Sequence, residues 1–433
     1  MGNTMKNRSP YLIIGNSAAA MGGVAGIRGR DADGLITIVN REQRGAYYRP
    51  LISYLLGGKV DEGKMPYRPS AMGESNLRLL QGVEARRIDV GGRIVETADG
   101  QSLGFENLLV ATGGRPIVPK DLPGREAEGV FTFTTWDDAE KVRDFIEENE
   151  VKEAVVVGGG LIGLKCVEAL TALRIKTTIA ELAERILSTA FDETASQLAL
   201  NSLKKGGAEV RCSTTASRIL TKEGKVAGVA LTDGTEVSCS LVVFTIGVAP
   251  EKSIVEGTAI RTDRGILVDS SMRTSVEGIY AAGDVAQAED LLSGEKRCIA
   301  ILPLAYRQGF IAGSNMAGGE AKYEGGLVMN AVDVCDLPTI SVGMTSPQGE
   351  GYEVLSVLDE KAPVYKKIVL KDDRIVGAIF VGQIDRAGII TGLIKKRISV
   401  SGFKSLLLTD AFGLLSLPAE YRKHLVSGMG TEV

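Results

Sequence analysis

Histidine is almost missing from this chain: its one copy is His424, close to the end. Histidine-based acid–base chemistry and histidine metal ligation are therefore poorly supplied. Cysteine is sparse too. Cys166, Cys212, Cys239, Cys298 and Cys335 are scattered, with no CxxC pair. That excludes a standard iron–sulfur or zinc knuckle, argues against a local redox dithiol, and leaves no metal expected. Isolated thiols of this kind are expected to be buried small hydrophobes. No apolar run approaches the length of a membrane-spanning helix. The first, Tyr11–Ile14, breaks at Gly15 and is too short for a signal-peptide core, so a cytoplasmic protein without membrane contact is expected. A net charge of -4 provides no basic footprint for nucleic acid.

What is present fits a soluble globular protein, with 44% hydrophobic and 24% charged residues. At 433 residues, two or three domains are expected. The 53 glycines cluster in sharp turns, and two stretches share one grammar. The first has the strand-like run Tyr11–Ile14, the loop Gly15-Asn16-Ser17-Ala18-Ala19-Ala20, a small-residue helix and the strand Leu35–Val39. Short strands around Gly91-Gly92 and Asp99-Gly100 follow, closing with Leu108–Gly113. The second has Ala154–Val157, the loop Gly158-Gly159-Gly160-Leu161-Ile162-Gly163, a helix and Thr177–Ala180. Turns at Glu223-Gly224 and Asp233-Gly234 lead to Leu241–Gly247. Each reads as a right-handed βαβ unit followed by a β-meander.

In a βαβ nucleotide site the three loop glycines allow the tight turn, the backbone's approach to a pyrophosphate, and close helix packing. Gly158, Gly160 and Gly163 fill these roles, with Leu161 and Ile162 opening the helix whose N–H groups face the phosphates. Glu181, directly after Thr177–Ala180, can accept from ribose hydroxyls and would repel a 2′-phosphate, which favours NADH over NADPH. A solvated strand-end glutamate is the alternative, and Arg185 lies nearby in sequence. The first loop is less regular. Ser17 and Ala20 hold the second and third glycine positions, and Glu42 is its candidate ribose acid.

These residues resemble the FAD-dependent pyridine nucleotide–disulfide oxidoreductase superfamily over nearly the whole chain. Gly278-Ile279-Tyr280-Ala281-Ala282-Gly283-Asp284-Val285 is similar to that family's second FAD motif, which implies that Asp284 meets the ribityl chain. Ala111-Thr112-Gly113-Gly114-Arg115-Pro116 and Thr245-Ile246-Gly247-Val248-Ala249-Pro250 match its two crossover segments, and Pro303-Leu304-Ala305 opens a helix aimed at the flavin pyrimidine. The resemblance implies an α/β fold of two Rossmann-like domains, glutathione reductase-like, plus a C-terminal α+β domain. The expected segments are 1–118 (FAD, first part), 119–249 (NAD), 250–327 (FAD, second part) and 328–433 (C-terminal interface domain). It implies tightly bound FAD on Gly15, Ser17, Ala18, Ala19, Glu42, Arg49, Pro50, Ser53, Ala111, Thr112, Gly113, Gly283, Asp284, Pro303 and Leu304. NADH is expected on Gly158, Gly160, Leu161, Ile162, Gly163, Glu181 and Gly247.

The branch is narrowed by what the motifs omit. Disulfide reductases and peroxidase-type relatives carry a reactive Cys near Arg49–Ile52, where this chain reads Tyr47-Tyr48-Arg49-Pro50-Leu51-Ile52-Ser53. The peroxidase-type members also place a His where Ala18 stands. The pattern is instead similar to rubredoxin and ferredoxin reductases and to the flavin portion of nitrite reductase large subunits. From near Val328 the chain resembles the rubredoxin reductase C-terminal domain, with a hairpin at Tyr365–Val381 and two later helix-like runs. Many relatives pair a Lys and a Glu beside flavin N5, and the matching residues here are Tyr54 and Lys165. Lys165 is either a displaced positive charge at that site, with Tyr54 packing the nicotinamide pocket, or a surface lysine.

The expected activity is hydride transfer from NADH to FAD, then electrons to a small iron–sulfur or rubredoxin-type carrier or an iron–sulfur partner enzyme. Two alternatives stand beside it: an NADH oxidase reducing oxygen, and a non-turnover flavin-binding structural or redox-sensing subunit. Homodimers are common in the superfamily, so a homodimer is a candidate state. Lys395-Lys396-Arg397 is a candidate patch for an acidic carrier, or a solvated helix end.

Overall fold

The apolar run Tyr11–Ile14 within the opening strand, Arg8–Ile14, fits burial on both faces, as parallel strands require. In the computed structural model, which describes residues 8–67, 76–359 and 361–418, it lies at the centre of a seven-stranded sheet. His424 falls outside the described residues. The chain divides into two compact units, Met1–Lys120 with Phe131–Glu150 and Ile246–Gly326, and Asp121–Val130 with Val151–Thr245 and Leu327–Val433.

In the first unit, Arg8–Ile14 pairs in parallel with Ile36–Asn40 on one side and Ser102–Val110 on the other. Leu77–Gln81 extends the sheet beyond Ile36–Asn40, and Ile279–Ala281 joins it late, along Leu108–Val110. The antiparallel strands Ile94–Thr97 and Ala85–Asp89 complete the expected meander. The helices Ala18–Arg28 and Leu302–Met316 pack at backbone distance. A Cβ at Gly22 would come within 2.0 Å of the Tyr306 carbonyl oxygen, and one at Gly26 within 2.1 Å of that of Phe310. From the other side, a Cβ at Gly309 would come within 1.9 Å of the Ala19 carbonyl oxygen, and one at Gly313 within 2.0 Å of that of Gly23. The two crossover segments form a ribbon, with Gly114–Pro116 antiparallel to Val248–Pro250.

The second unit repeats the plan. Its parallel strands run in the order Glu209–Arg211, Lys176–Ala180, Glu153–Val157 and Leu241–Phe244. The meander Ala216–Lys222, Lys225–Leu231 and Glu236–Ser238 turns where the glycines fell. The C-terminal part is a five-stranded antiparallel sheet, in the order Met329–Val334, Leu337–Gly343, Arg374–Val381, Val364–Lys371 and Tyr352–Asp359. Among the described residues that follow it, Ala387–Lys395 is an α-helix, whereas Lys404–Leu406 and Leu414–Ser416 are single 3₁₀ turns. Gly402 and Gly413 interrupt that stretch, and glycine lowers helix propensity.

The C-terminal sheet is fastened to the second Rossmann-like segment by polar ties. Asp192 caps the helix Glu193–Lys205 by accepting from the Ala195 N–H, and it also accepts from Tyr365 Oη at 2.8 Å and pairs with Lys367 Nζ at 2.9 Å. Glu168 accepts the Cys335 N–H at 2.9 Å, and Ser202 Oγ donates to the Cys335 carbonyl at 3.0 Å. Among the described residues, no helix is long and apolar enough to cross a membrane.

Candidate functional site

Both glycine loops sit at the carboxyl ends of adjacent parallel strands where the strand order reverses, the crevice in which open α/β sheets bind ligands. In the first unit Gly15 adopts φ +108°, and a Cβ there would come within 2.1 Å of the Ala111 carbonyl oxygen, so glycine is required. The helix that follows has Ser17 as N-cap, with no side-chain cap and no acidic residue in its first turn. Its leading N–H groups and positive dipole end therefore stay available to an anion. Ala18 and Ala19 are buried beneath that turn, and the Asn16 side-chain nitrogen is buried with no hydrogen-bond partner. A bound oxygen acceptor would satisfy it.

Arg49 organises the rest of this site. It donates to Ser17 Oγ at 3.2 Å and to the Thr134 carbonyl at 3.0 Å, and it forms an ion pair with Glu42. Tyr47 Oη donates to the other Glu42 oxygen at 2.7 Å and accepts the Trp136 N–H at 3.0 Å. Burial pushes the Tyr47 hydroxyl well above its ordinary pKa, which keeps it a donor. Pro50 opens the short 3₁₀ turn Arg49–Leu51, which runs into the helix Ile52–Leu56 carrying buried Ser53 and half-buried Tyr54. Thr112 Oγ1 donates to the Glu251 carbonyl, and the Glu251 N–H donates to that of Gly113, so the first crossover is clamped to its partner. Asp284 follows Gly283 in a turn closed by the Ala286 N–H on the Gly283 carbonyl at 2.8 Å. Burial raises the Asp284 carboxyl above its ordinary value, and the Arg49 guanidinium partly offsets that. Pro303 and Leu304 lie in the first turn of Leu302–Met316, which likewise has no acidic residue there.

In the second unit Gly158 adopts φ +111°. A Cβ at Gly163 would come within 2.0 Å of the Gly158 carbonyl oxygen, the close helix-to-strand approach expected of the third glycine. Thr245 Oγ1 donates to the Val157 and Gly158 carbonyls, both at 3.0 Å, which braces the loop from below. At Gly160 a Cβ would meet nothing within 4 Å, so a space free of protein lies in front of the second glycine. Leu161 and Ile162 begin the helix, and Ile162 is exposed. Glu181 sits over this turn, accepting from the Gly159 N–H and, at 2.7 Å, the Ala183 N–H. It is a positioned carboxylate, not a freely solvated strand end. The Nε of Arg185 is buried with no hydrogen-bond partner. Gly247, at φ +116°, belongs to the first unit, where its carbonyl accepts the Ile117 N–H at 3.0 Å.

Lys165 is not a solvated surface lysine. Its amine reaches Glu168 Oε2 at 2.6 Å and the Asp333 carbonyl at 2.8 Å, tying the nucleotide-loop helix to the C-terminal sheet. The cysteines also depart from expectation: Cys166 and Cys239 are buried, but Cys212, Cys298 and Cys335 are only half-buried, and all are free. Burial pushes the Cys239 thiol to about 12 and raises those of Cys166, Cys212 and Cys298, so none of these four is an activated thiolate. No cluster of metal-ligating side chains occurs among the described residues. Thr134 and Trp136 were not singled out from sequence, and Tyr47 entered only as the first residue of the Tyr47–Ser53 pattern. Only the Thr135–Asp138 capping box, visible as T-x-x-D, could have flagged Thr134 and Trp136.

Each unit carries a glycine-loop crevice with its own carboxylate, an arrangement suited to a dinucleotide. A family model described as pyridine nucleotide-disulphide oxidoreductase matches residues 9–309, and one described as rubredoxin NAD+ reductase C-terminal domain matches residues 329–398. The chain belongs to the pyridine nucleotide-disulphide oxidoreductase family, in its rubredoxin reductase-like branch, and is an NAD(P)H oxidoreductase; the family implies use of FAD. It is similar to the NADH-dependent phenylglyoxylate dehydrogenase subunit epsilon of Aromatoleum evansii, with 34% identity over 418 residues, 92% of this chain and 94% of that one. Among solved structures it resembles a NAD-dependent persulfide reductase from A. fulgidus, with TM-score 0.82 and 28% identity over 90% of this chain and 77% of that one. A ferredoxin reductase from Rhodopseudomonas palustris gives TM-score 0.81 and 25% identity, over 91% of this chain and 96% of that one.

Proposed function

We propose that the first crevice holds FAD tightly, that the second receives NADH in preference to NADPH, and that a separate cytoplasmic iron–sulfur or rubredoxin-type protein takes the electrons. Bound FAD supplies the conversion between a two-electron hydride and single electrons. The chain's own residues bind and orient. Glu42, fixed by Arg49 and Tyr47, presents a carboxylate to ribose hydroxyls, and the first turns of Ala18–Arg28 and Leu302–Met316 offer N–H groups to negative charge. Glu181 does the same for the nicotinamide dinucleotide's ribose and repels a 2′-phosphate.

One observation carries the acceptor assignment: the segment Tyr47–Ser53, built into the first site through Tyr47 and Arg49, contains no cysteine. Electrons therefore have no thiol relay there and leave for another molecule. The relative from Aromatoleum evansii is by name one subunit of an NADH-dependent dehydrogenase, which favours service as the NADH-oxidising subunit of an iron–sulfur partner enzyme. Lys395, Lys396 and Arg397, all exposed at the end of Ala387–Lys395, offer positive charge to an acidic carrier.

Tyr54 and Lys165 enter this reading as environment, not as chemistry. If Lys165→Ala slows flavin reduction by NADH at an unchanged melting temperature, its charge acts on the flavin. If both fall together, it acts as a tie to Asp333. The deciding experiment compares NADH turnover with oxygen, rubredoxin and ferredoxin. Fast turnover with an iron protein is expected. Turnover with oxygen alone would make the protein an oxidase, and a flavin bleached by NADH that serves no acceptor would make it a sensing or structural subunit.

A further inference from the structure

Gln308 lies on the inner face of the helix Leu302–Met316 and is buried, 3% exposed. Its Oε1 accepts the Gly283 N–H at 2.9 Å, and its Nε2 donates to Tyr323 Oη at 3.3 Å. Tyr323 is itself buried. The amide therefore has fixed partners at both ends, and neither end is free to turn.

Gly283 is an unusual point in the first unit. It adopts φ +81°, and a Cβ there would meet the Cβ of Ala19 at 3.0 Å and that of Ala305 at 3.5 Å. Ala19 and Ala305 belong to the first turns of the two helices that point their N-termini at the candidate cofactor site. Gly283 is thus wedged where both helix ends converge, and it directly precedes Asp284. Its carbonyl is held by the Ala286 N–H, and its N–H is held only by Gln308 among the described residues. The two peptides that flank the Gly283 Cα are thereby fixed, and with them the point from which Asp284 departs.

We infer that Gln308 is the positioning residue for Asp284: by gripping Gly283 it aims the Asp284 carboxylate at the ribityl hydroxyls, and so governs how long FAD stays bound. The inference rests on the reading that FAD occupies the first crevice. Gln308 touches no reacting atom. Its effect passes through the Gly283 turn, so it depends on the carboxylate being there to be aimed.

The test is a double-mutant cycle on the release of FAD from the loaded full-length protein, followed as the rise in free flavin fluorescence. Gln308→Met keeps the bulk and removes the acceptor, and release should become about ten-fold faster, the effect of one buried hydrogen bond. In an Asp284→Asn background the same substitution should change the rate by less than about two-fold, because contributions that act through one another do not add. If Gln308→Met does not fold, Tyr323→Phe replaces it in the same cycle. It frees the far end of the amide and should speed release by about three-fold in the wild-type background only. Equal acceleration in both backgrounds, or none in the wild type, would show Gln308 to be a core residue with no role at the site. A wild-type chain that takes up no FAD would instead overturn the assignment of the crevice itself.

Discussion

The hydroxyl of Tyr47 donates to the carboxylate of Glu42 across 2.7 Å. The same oxygen accepts the backbone N–H of Trp136, the single tryptophan of the chain, whose ring meets that of Tyr47 edge-on at 5.5 Å. Tyr47→Phe removes both bonds and leaves a buried N–H unpaired, at a cost of about 2 kcal/mol in stability. Chemical denaturation followed by Trp136 emission measures that loss. Adding FAD to the flavin-free protein should also change this emission, and no change on FAD addition would place the flavin away from Tyr47.

If the second glycine loop receives NADH as proposed, its second and third glycines should separate binding from folding. Gly160 has φ −80° and open space where a Cβ would stand, so Gly160→Ala should fold with an unchanged melting temperature while the KM for NADH rises about ten-fold. Gly163→Ala meets the Gly158 carbonyl and the Thr245 hydroxyl, and should lose about 3 kcal/mol of stability as well as NADH binding. Steady-state kinetics beside thermal melts would show a split for the first variant and a joint loss for the second.

Asp284 gives a pH-dependent prediction. Burial raises its carboxyl above the ordinary value of 3.8, so the folded protein binds this proton more tightly than the unfolded chain does. The stability linked to that proton is fully present below the ordinary value and is lost as pH rises through the raised one. In flavin-free protein, Asp284→Asn should therefore be more stable than wild type at neutral pH and level with it in acid, while holding FAD less well. Urea denaturation across that range checks it. A variant less stable than wild type at neutral pH would show that the Arg49 charge outweighs burial.

Lys367 and Asp192 form a pair whose side chains are only 10% and 17% exposed. Removing one partner leaves the other charge with poor compensation, so Lys367→Met should cost about 3 kcal/mol. Because Asp192 also caps the helix Glu193–Lys205, amide exchange should quicken at the start of that helix. Exchange that quickens only within the C-terminal sheet would leave the cap independent of the pair.

The parts legible in the sequence are those where a single residue type answers a local demand. Gly15 and Gly158 adopt positive φ, Gly163 stands against a carbonyl, and the meander turns fall at Asp99-Gly100 and Asp233-Gly234. The small-residue helix after Gly15 proved to be one side of a glycine-to-glycine helix contact, and its packing demand was visible even though Gly309 and Gly313 were not identified as its partners. Thr134 and Gln308 were invisible for the converse reason. Thr134 contributes a carbonyl that any residue has, and Gln308 lies 25 positions from the N–H it binds, with no motif linking them. Lys165 illustrates a third case: sequence offered a flavin-site charge or a surface lysine, while its partner at Asp333 comes from a strand 168 positions away.

The late arrival of Ile279–Ala281 beside Leu108–Val110 has a consequence for synthesis. Every strand from Glu153–Val157 to Leu241–Phe244 emerges from the ribosome before that edge of the first sheet can close. The opening sheet must wait, with the Leu108–Val110 flank uncovered, while its younger neighbour assembles from consecutive chain. The growing polypeptide thus completes the crevice at Gly158–Gly163 before it can finish the one that opens at Gly15.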